Sequence, residues 1–415
     1  MSAETNKTSS AKRLRIADIK LNSLLELTKA INLNANIDAL LDIYRNVLQH
    51  KLFIGKLMLL RHDKGWSSML NYGMRPDNIN AAIETAKKYT TIRDITSIGQ
   101  EEWPKNEGFE IIVPVYHKNS PLAYVFLGDL NEESIGVSPA IKHLPFIQTL
   151  TNILVVAIEN KKLAKESIRQ AVLQREMDLA KEIQSILVPS VLPHTQELDM
   201  DAVYLPFHQI SGDYYDFIPL DESEFAICIA DVSGKGVAAA LLMSNFQANL
   251  LALIEQTSSL TELIVRLNRK VMQTAKGESF ITFFIAKYNR LTQSMHYINA
   301  GHYPPLLHMN DTVTMLKSGC PALGMLAEIP NVKEGIITLG PPATLLTYTD
   351  GVIEIENDNK EEFGLEKLTD LFTTNVNEHR TAKQLTTSII DELSVFKASK
   401  EYVDDITLLV CRILM

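Results

Sequence analysis

Four aspartates in the C-terminal half of the chain stand where an apolar run stops, each beside small or turn-forming residues. They are Asp213 in Ser211-Gly212-Asp213-Tyr214-Tyr215-Asp216, Asp231 in Asp231-Val232-Ser233-Gly234-Lys235-Gly236, Asp350 in Thr349-Asp350-Gly351, and Asp404 in Asp404-Asp405-Ile406-Thr407. Aspartate is a poor strand former, so its recurrence at strand ends needs a reason. A single one is explained by a local Asx-type turn. Four of them, most with glycine neighbours, point to carboxylates gathered in one place. Two such charges ~4–5 Å apart repel by roughly 3–4 kcal/mol at an effective dielectric near 20, and a bound cation reverses the sign of that contribution. Hard divalent ions take oxygen ligands and keep several waters, and a two-metal site of this kind suits phosphoryl chemistry.

The chain has 415 residues, enough for two or three domains. Its formal net charge of −10 argues against nonspecific nucleic-acid binding. No run of 18 or more apolar residues predicts a membrane span, and the polar residues 1–10 lack the apolar core of a secretory signal. Three widely spaced cysteines, Cys228, Cys320 and Cys411, make neither a disulfide framework nor a zinc knuckle and fit a reducing, cytoplasmic setting. Cys228 and Cys411 lie inside strand-like runs and are expected in the core.

Residues 1–19 are polar, with Lys12, Arg13 and Arg15, and read as a loose tail or a frayed helix start. Residues 20–158 read as one α/β domain. Leu21, Leu24, Leu25, Leu27 and Ile31, then Ile37, Leu40, Leu41 and Ile43, carry helical periodicity. Strand-like runs follow at 55–60, 111–116 and 122–127, and a helix at 141–158 closes the domain. This layout resembles a GAF-type sensory domain, with a PAS-like domain as the near alternative; its ligand, small molecule or protein, is not written in the sequence. Residues 159–188 continue as a charged helix with a narrow apolar seam at Ile168, Val172, Leu179, Ile183 and Ile186. Such a seam serves a short coiled coil between two subunits, making a homodimer, or packs on its own domain. Pro189 and Pro193 end it.

Residues 189–415 read as a second α/β domain. The run 225–230 ends at Asp231 in the pattern of a buried strand. Further strands are expected at 280–286, 296–299, 306–309, 345–349 and 406–414. Helices are expected at 237–256, at 259–276 behind a Ser259/Glu262 capping box, and at 381–396 behind Thr381/Gln384. Asp199-Met200-Asp201-Ala202-Val203 fits a D-x-D-x-[TV] pattern, but the polar residues before it rule out the apolar strand that an aspartyl-phosphate site needs.

The ordered motifs Gly212-Asp213-Tyr214-Tyr215-Asp216, residues 231–241, Asn299-Ala300-Gly301-His302-Tyr303-Pro304-Pro305-Leu306, Thr349-Asp350-Gly351 and Asp404-Asp405-Ile406-Thr407 closely resemble the bacterial metal-dependent (PPM-type) serine/threonine protein phosphatases of the sporulation and stress-response branch. Cys320-Pro321-Ala322-Leu323-Gly324 and Ile183-Gln184 ahead of Pro189 fit the same branch. The resemblance implies an αββα sandwich of two antiparallel sheets with a pair of Mn²⁺ or Mg²⁺ ions at one end. By motif position Asp231 would bridge the ions with help from the Val232 carbonyl, Asp213 would hold the second, and Asp350 and Asp404 the first. Asp405 is the ambiguous neighbour of Asp404. Water acidified by the ions would be the nucleophile, with no covalent intermediate.

Two departures matter. Ser233 stands where the eukaryotic branch has a histidine, and no arginine stands shortly before Asp213, where that branch binds phosphate and this chain has His208 and Gln209 nearby. The leaving-group acid and the phosphate anchor are thus unassigned; Ser233, Gly234, Lys235 and Gly236 are candidate phosphate or substrate contacts at a helix N-terminus. His302 reads as an organiser of the Gly301 turn. The function expected is cytoplasmic signalling by dephosphorylation of a partner protein, in the resembled branch often an anti-sigma-factor antagonist, under control of the N-terminal sensor and the helix 159–188. The alternatives are a phosphatase fold acting as a binding module and a two-metal enzyme of another class.

Overall fold

The computed structural model describes residues 2–62, 65–98, 103, 108–117, 120–128, 143–207 and 210–414. The chain divides into two compact units, Met1–Ala171 and Val172–Met415. The first runs α1 (Ser2–Asn32), α2 (Ile37–Asn46), β1 (Lys56–His62), β2 (Trp66–Tyr72), α3 (Ile79–Lys87), β3 (Thr96–Ser97), β4 (Ile111–His117), β5 (Ser120–Gly128) and the start of α4 (Leu144–Ser185). Its strands form one antiparallel sheet in the order β2-β1-β5-β4-β3. Successive strand residues face opposite sides. Leu57 and Leu59 of β1 therefore join Leu40, Tyr44, Leu150 and Leu154 of the helices on one face. Met58 and Leu60 join Ala82 and Ala86 of α3 on the other. The Tyr44 hydroxyl, buried with Thr151, shares a 2.6 Å hydrogen bond with it.

The sequence pattern missed β2 and α3. β2 is an edge strand with a single buried residue, Leu70, so it has no apolar run. The two helices expected at 141–158 and 159–188 are one, α4; residues 141 and 142 lie outside the described residues. The expected linker is divided between the units. Its last residues belong to the second one, where Leu187 and Val188 pack on the core.

The second unit continues with β6 (Leu198–Leu205), β7 (Tyr214–Pro219), β8 (Glu224–Val232), α5 (Val237–Ile254), α6 (Leu260–Ala275), β9 (Ile281–Asn289), β10 (Ser294–Ala300), β11 (Leu306–Met309), β12 (Thr312–Met315), β13 (Gly319–Cys320), β14 (Gly335–Thr338), β15 (Ala343–Tyr348), α7 (Asp350–Ile353), α8 (Gly364–Asn377), α9 (Ala382–Lys397) and β16 (Ile406–Ile413). One sheet has the order β13-β10-β9-β8-β7, with β14 also pairing β10. The other has the order β12-β11-β15-β16-β6. Phe225, Ile227 and Ile229 of β8 face Leu345, Leu409 and Cys411 of the second sheet. Ala226, Cys228 and Ala230 face Met243, Phe246 and Leu267 of α5 and α6. The outer face of the second sheet packs on α8 and α9 through Leu408, Val410, Phe372, Leu385 and Ile389. This is the four-layer αββα sandwich, each strand burying alternate residues in different cores.

Both expected cysteines are buried, and burial pushes the Cys411 thiol up to about 12. Thr381 and Gln384 make the complete capping box of α9. At α6 only half of the box forms, because the Glu262 carboxylate turns to Ser258. Asp199 and Asp201 lie on β6, alternating with buried Leu198 and Met200. Asp199 accepts the Ala382 N–H and Asp201 the Thr386 hydroxyl, so both serve the start of α9. α5 is apolar and long enough to cross a membrane by length and composition, but Leu242, Met243, Phe246 and Leu250 bury one of its faces on the sheet.

Candidate active site

The strand directions bring the aspartates together. β7 begins at Tyr214 opposite Ala230, so the antiparallel register continued by one residue sets Asp213 across from Asp231. β15 ends at Tyr348 opposite Leu408, which sets Thr349 across from Thr407; the Thr349 N–H donates to the Thr407 carbonyl at 3.1 Å. Asp350 follows Thr349, and Asp404 and Asp405 precede β16. Two glycines mark close backbone approaches, and Gly351 is required by its own. A Cβ at Gly351 would stand 1.9 Å from the Asp405 carbonyl oxygen, and one at Gly212 would stand 3.1 Å from that of Val232. The Asp350 turn therefore lies on the 404–405 backbone, and the loop bearing Asp213 lies on the Val232 carbonyl.

Asp213 is 2% exposed. Its Oδ2 accepts the Thr407 hydroxyl at 2.5 Å and the Thr349 hydroxyl at 2.9 Å. Its N–H donates to Ser211 Oγ at 3.0 Å. Burial first, then the charge of Asp231, holds its carboxyl well above the usual range, against the pull of the two hydroxyls. Asp231 is raised to about 7 by burial and by the charges of Asp350 and Asp404. Asp350 is raised by burial, by Asp404 and by Glu354. The four carboxylates thus feel one another across both sheets.

Asp404 and Asp405 differ in what they touch. Asp405 accepts the Phe207 N–H at 2.7 Å, the Ser211 hydroxyl at 2.6 Å and the Gly212 N–H at 3.1 Å, so it anchors the loop that carries Asp213. Asp404 Oδ2 receives Lys235 Nζ at 2.7 Å, and Lys235 also reaches the Val403 carbonyl at 3.0 Å. Lys235 stands over the Phe207 ring, 5.6 Å from its centroid. Val232 is buried at the end of β8. Ser233 is tied to Phe280 in both directions: its N–H donates to the Phe280 carbonyl and its Oγ accepts the Phe280 N–H, each at 2.9 Å. Gly234 and Gly236 take φ of +97° and +77° in a loop open to solvent, and α5 starts at Val237 with no side-chain cap. His208 and Gln209 lie outside the described residues.

His302 is buried and its basicity falls to about 4 through burial, so it is neutral near pH 7. Its Nε2–H donates to the Tyr348 carbonyl at 3.0 Å, and Nδ1 accepts from Thr282 Oγ1 at 2.9 Å. Thr282 pairs with Asp231 on β9, and Tyr348 ends β15. His302 therefore pins one sheet to the other beside the acidic cluster. The roles of Ser211, Thr349, Thr407 and Gln184 were not legible from the motifs that contain them. Gln184 is 6% exposed and pairs with Ser211 twice, donating to its carbonyl at 2.6 Å and accepting its N–H at 2.9 Å. Its only sequence signal was its place in the Ile183-Gln184 resemblance.

An all-oxygen donor set with no His or Cys among the four suits Mn²⁺ or Mg²⁺ over softer ions. Among the described residues no three His, Cys, Asp or Glu side chains stand as a ready-made cage. The carboxylates are near enough to repel, and Asp404 is paired with Lys235. Repelling carboxylates fit an ion that would draw them inward.

Residues 221–414 match the family described as Stage II sporulation protein E (SpoIIE). Phosphoserine phosphatase RsbU of Bacillus subtilis is 31% identical over 249 residues, covering 59% of this chain and 71% of that protein. Phosphoserine phosphatase RsbP of the same organism is 28% identical over 189 residues, covering 44% of this chain and 46% of that protein. The SiaA-PP2C domain of Pseudomonas aeruginosa superposes with a TM-score of 0.53 at 18% identity, over 59% of this chain and 98% of that one, which shows the shared fold. From the sandwich, the acidic cluster at its edge and these likenesses together, the chain belongs to the SpoIIE and RsbU branch of the PP2C-type (PPM) phosphatases.

Proposed function

We propose that the chain removes phosphate from serine or threonine of a partner protein, using two divalent ions, Mn²⁺ or Mg²⁺, at the acidic edge of the sandwich. The observation that carries this reading is the gathering of carboxylates at that edge, where Asp213, Asp231 and Asp350 are each raised first by burial and then by a neighbouring carboxylate: Asp213 by Asp231, Asp231 by Asp350 and Asp404, and Asp350 by Asp404. Asp213, Asp231, Asp350 and Asp404, with the Val232 carbonyl, would hold the ions. Asp405 anchors Phe207, Ser211 and Gly212, since its carboxylate is engaged by three donors from them. The ions, when bound, supply an acidified water and neutralise phosphoryl oxygens.

The chain's own residues do the rest. Lys235 is a flexible cation at the edge of the cluster, half-exposed, and swings from Asp404 to a phosphoryl oxygen. The N–H groups of the open loop at Gly234 and Gly236 are free of side-chain caps and approach the phosphate. Ser233, engaged by Phe280, holds that loop to β9. His302, neutral and buried, keeps the spacing of the sheets.

Asp231→Ala and Asp350→Ala test the reading with a phosphoserine peptide and Mn²⁺. Each is expected to lower kcat by at least ~10²-fold, in the range of losing a group that stabilises the transition state. Turnover that persists in both variants, or that ignores chelation, would end it.

The resemblance of the first unit supports a GAF-like sensor acting through α4 on the phosphatase unit in a cytoplasmic signalling pathway, with an anti-sigma-factor antagonist as the substrate class. Exposed Leu163, Ile168, Val172, Leu179 and Ile183 along α4 support a homodimer through residues 159–188. Phosphatase assay of the full chain against a truncation gives the direction of control: a faster truncation means that the front half inhibits.

A further inference from the structure

The two hydroxyls on Asp213 come from the sheet that does not carry it. Asp213 precedes β7 of one sheet; Thr349 follows β15 and Thr407 lies on β16 of the other. Both threonines are fully buried. They are also tied to each other: the Thr349 N–H donates to the Thr407 carbonyl, and the Thr407 N–H donates to Thr349 Oγ1, each at 3.1 Å. Thr349 Oγ1 thus accepts one hydrogen bond while donating another to Asp213 Oδ2. This fixes the hydroxyl proton without a choice of direction.

A carboxylate oxygen offers about two lone-pair sites. Two donors on Oδ2 fill it and fix the plane of the group, which leaves Oδ1 as the atom that can ligate. We propose that Thr349 and Thr407 are positioning residues that hold Asp213 as a one-oxygen ligand of a divalent ion. The inference rests on the metal-site reading above. Groups that orient a metal ligand in this way typically contribute 10–100-fold to metal affinity.

The test uses the full chain and Mn²⁺ alone, titrated calorimetrically, with circular dichroism and thermal unfolding of the metal-free protein as the measure of folding. Thr407→Val keeps the side-chain shape and removes the donor; Thr407→Ser keeps the donor and removes the methyl group. The expected result is a Kd for one of the two Mn²⁺ ions raised by about 10-fold or more in T407V, close to wild type in T407S. The Mn²⁺-dependent rise in Tm should shrink in the first variant only. A folded T407V that binds Mn²⁺ as the wild type does overturns the proposal. So does a T407S that loses as much affinity as T407V, because packing and not the hydroxyl would then matter. Should T407V not fold, Thr407→Cys, which puts a weak thiol donor in the place of the hydroxyl, is compared with T407S and read in the same way. A wild type that takes up no Mn²⁺ removes the metal reading itself, an outcome distinct from unchanged binding in the variant.

Discussion

Asp231 keeps its proton up to about pH 7 because burial and the charges of Asp350 and Asp404 oppose its ionisation. A free aspartate loses its proton near ~3.9. The folded, cation-free chain therefore holds a proton that the unfolded chain releases. That contribution to stability is complete below the unfolded value and is lost as pH rises through the folded one. Thermal unfolding should show a cation-free Tm that falls between about pH 4 and about pH 7, and a Mn²⁺-induced rise in Tm that grows over the same span. A Mn²⁺ effect that does not change with pH would mean that Asp231 is not the group displaced. Gly351 gives a second prediction at this scale. Alanine there would drive a Cβ to 1.9 Å from the Asp405 carbonyl oxygen. The turn bearing Asp350 must move, with an expected destabilisation of about 1–3 kcal/mol in urea unfolding and a loss of phosphatase activity that exceeds the loss of folded protein.

Single elements can be probed apart from the site. The capping box of α9 starts where Asp199 meets Ala382, and Asp199 pairs with Arg412, at the opposite end of β16 from Thr407. Thr381→Ala should cost about 1 kcal/mol in stability while kcat stays unchanged. A drop in kcat at full folding would show that α9 reaches the chemistry. The end of α4 behaves differently. Gln184 gives the Ser211 backbone both of its hydrogen bonds to a side chain, and Ser211 in turn supports Asp213 and Asp405. Gln184→Leu leaves a buried N–H and C=O without partners, at a cost of about 1–3 kcal/mol. Because the loop it releases carries Asp213, activity should fall in Mn²⁺ assays more than stability does. A variant that loses stability alone would limit Gln184 to packing.

At the scale of the molecule, the oligomeric state is the accessible quantity. Ile168→Glu with Val172→Glu puts charge into the exposed seam of α4, and light scattering should report a dimer in the wild type and a monomer in the double variant. Equal masses would remove the coiled-coil reading. How much of this architecture could be read beforehand depended on burial. β8 and β16 are buried on both faces and announced themselves as apolar runs; β2 and β6 are edge strands whose polar residues hid them. The aspartates were visible because each breaks a strand. Thr349, Thr407 and Ser211 were not, because a hydroxyl in a strand or turn is unremarkable until a partner from a distant segment faces it. The same holds for Asp405, whose sequence neighbour is as acidic as it is, and only the donors around the two tell them apart.

Asp213 and Asp231 hang from one sheet, Asp350 and Asp404 from the other, and threonine and histidine pins join the two. Phosphate cleavage is then a gauge of alignment between layers. A slip of the sandwich that leaves every helix and strand intact would silence the enzyme, so heat or mild denaturant should extinguish turnover before ellipticity begins to fall.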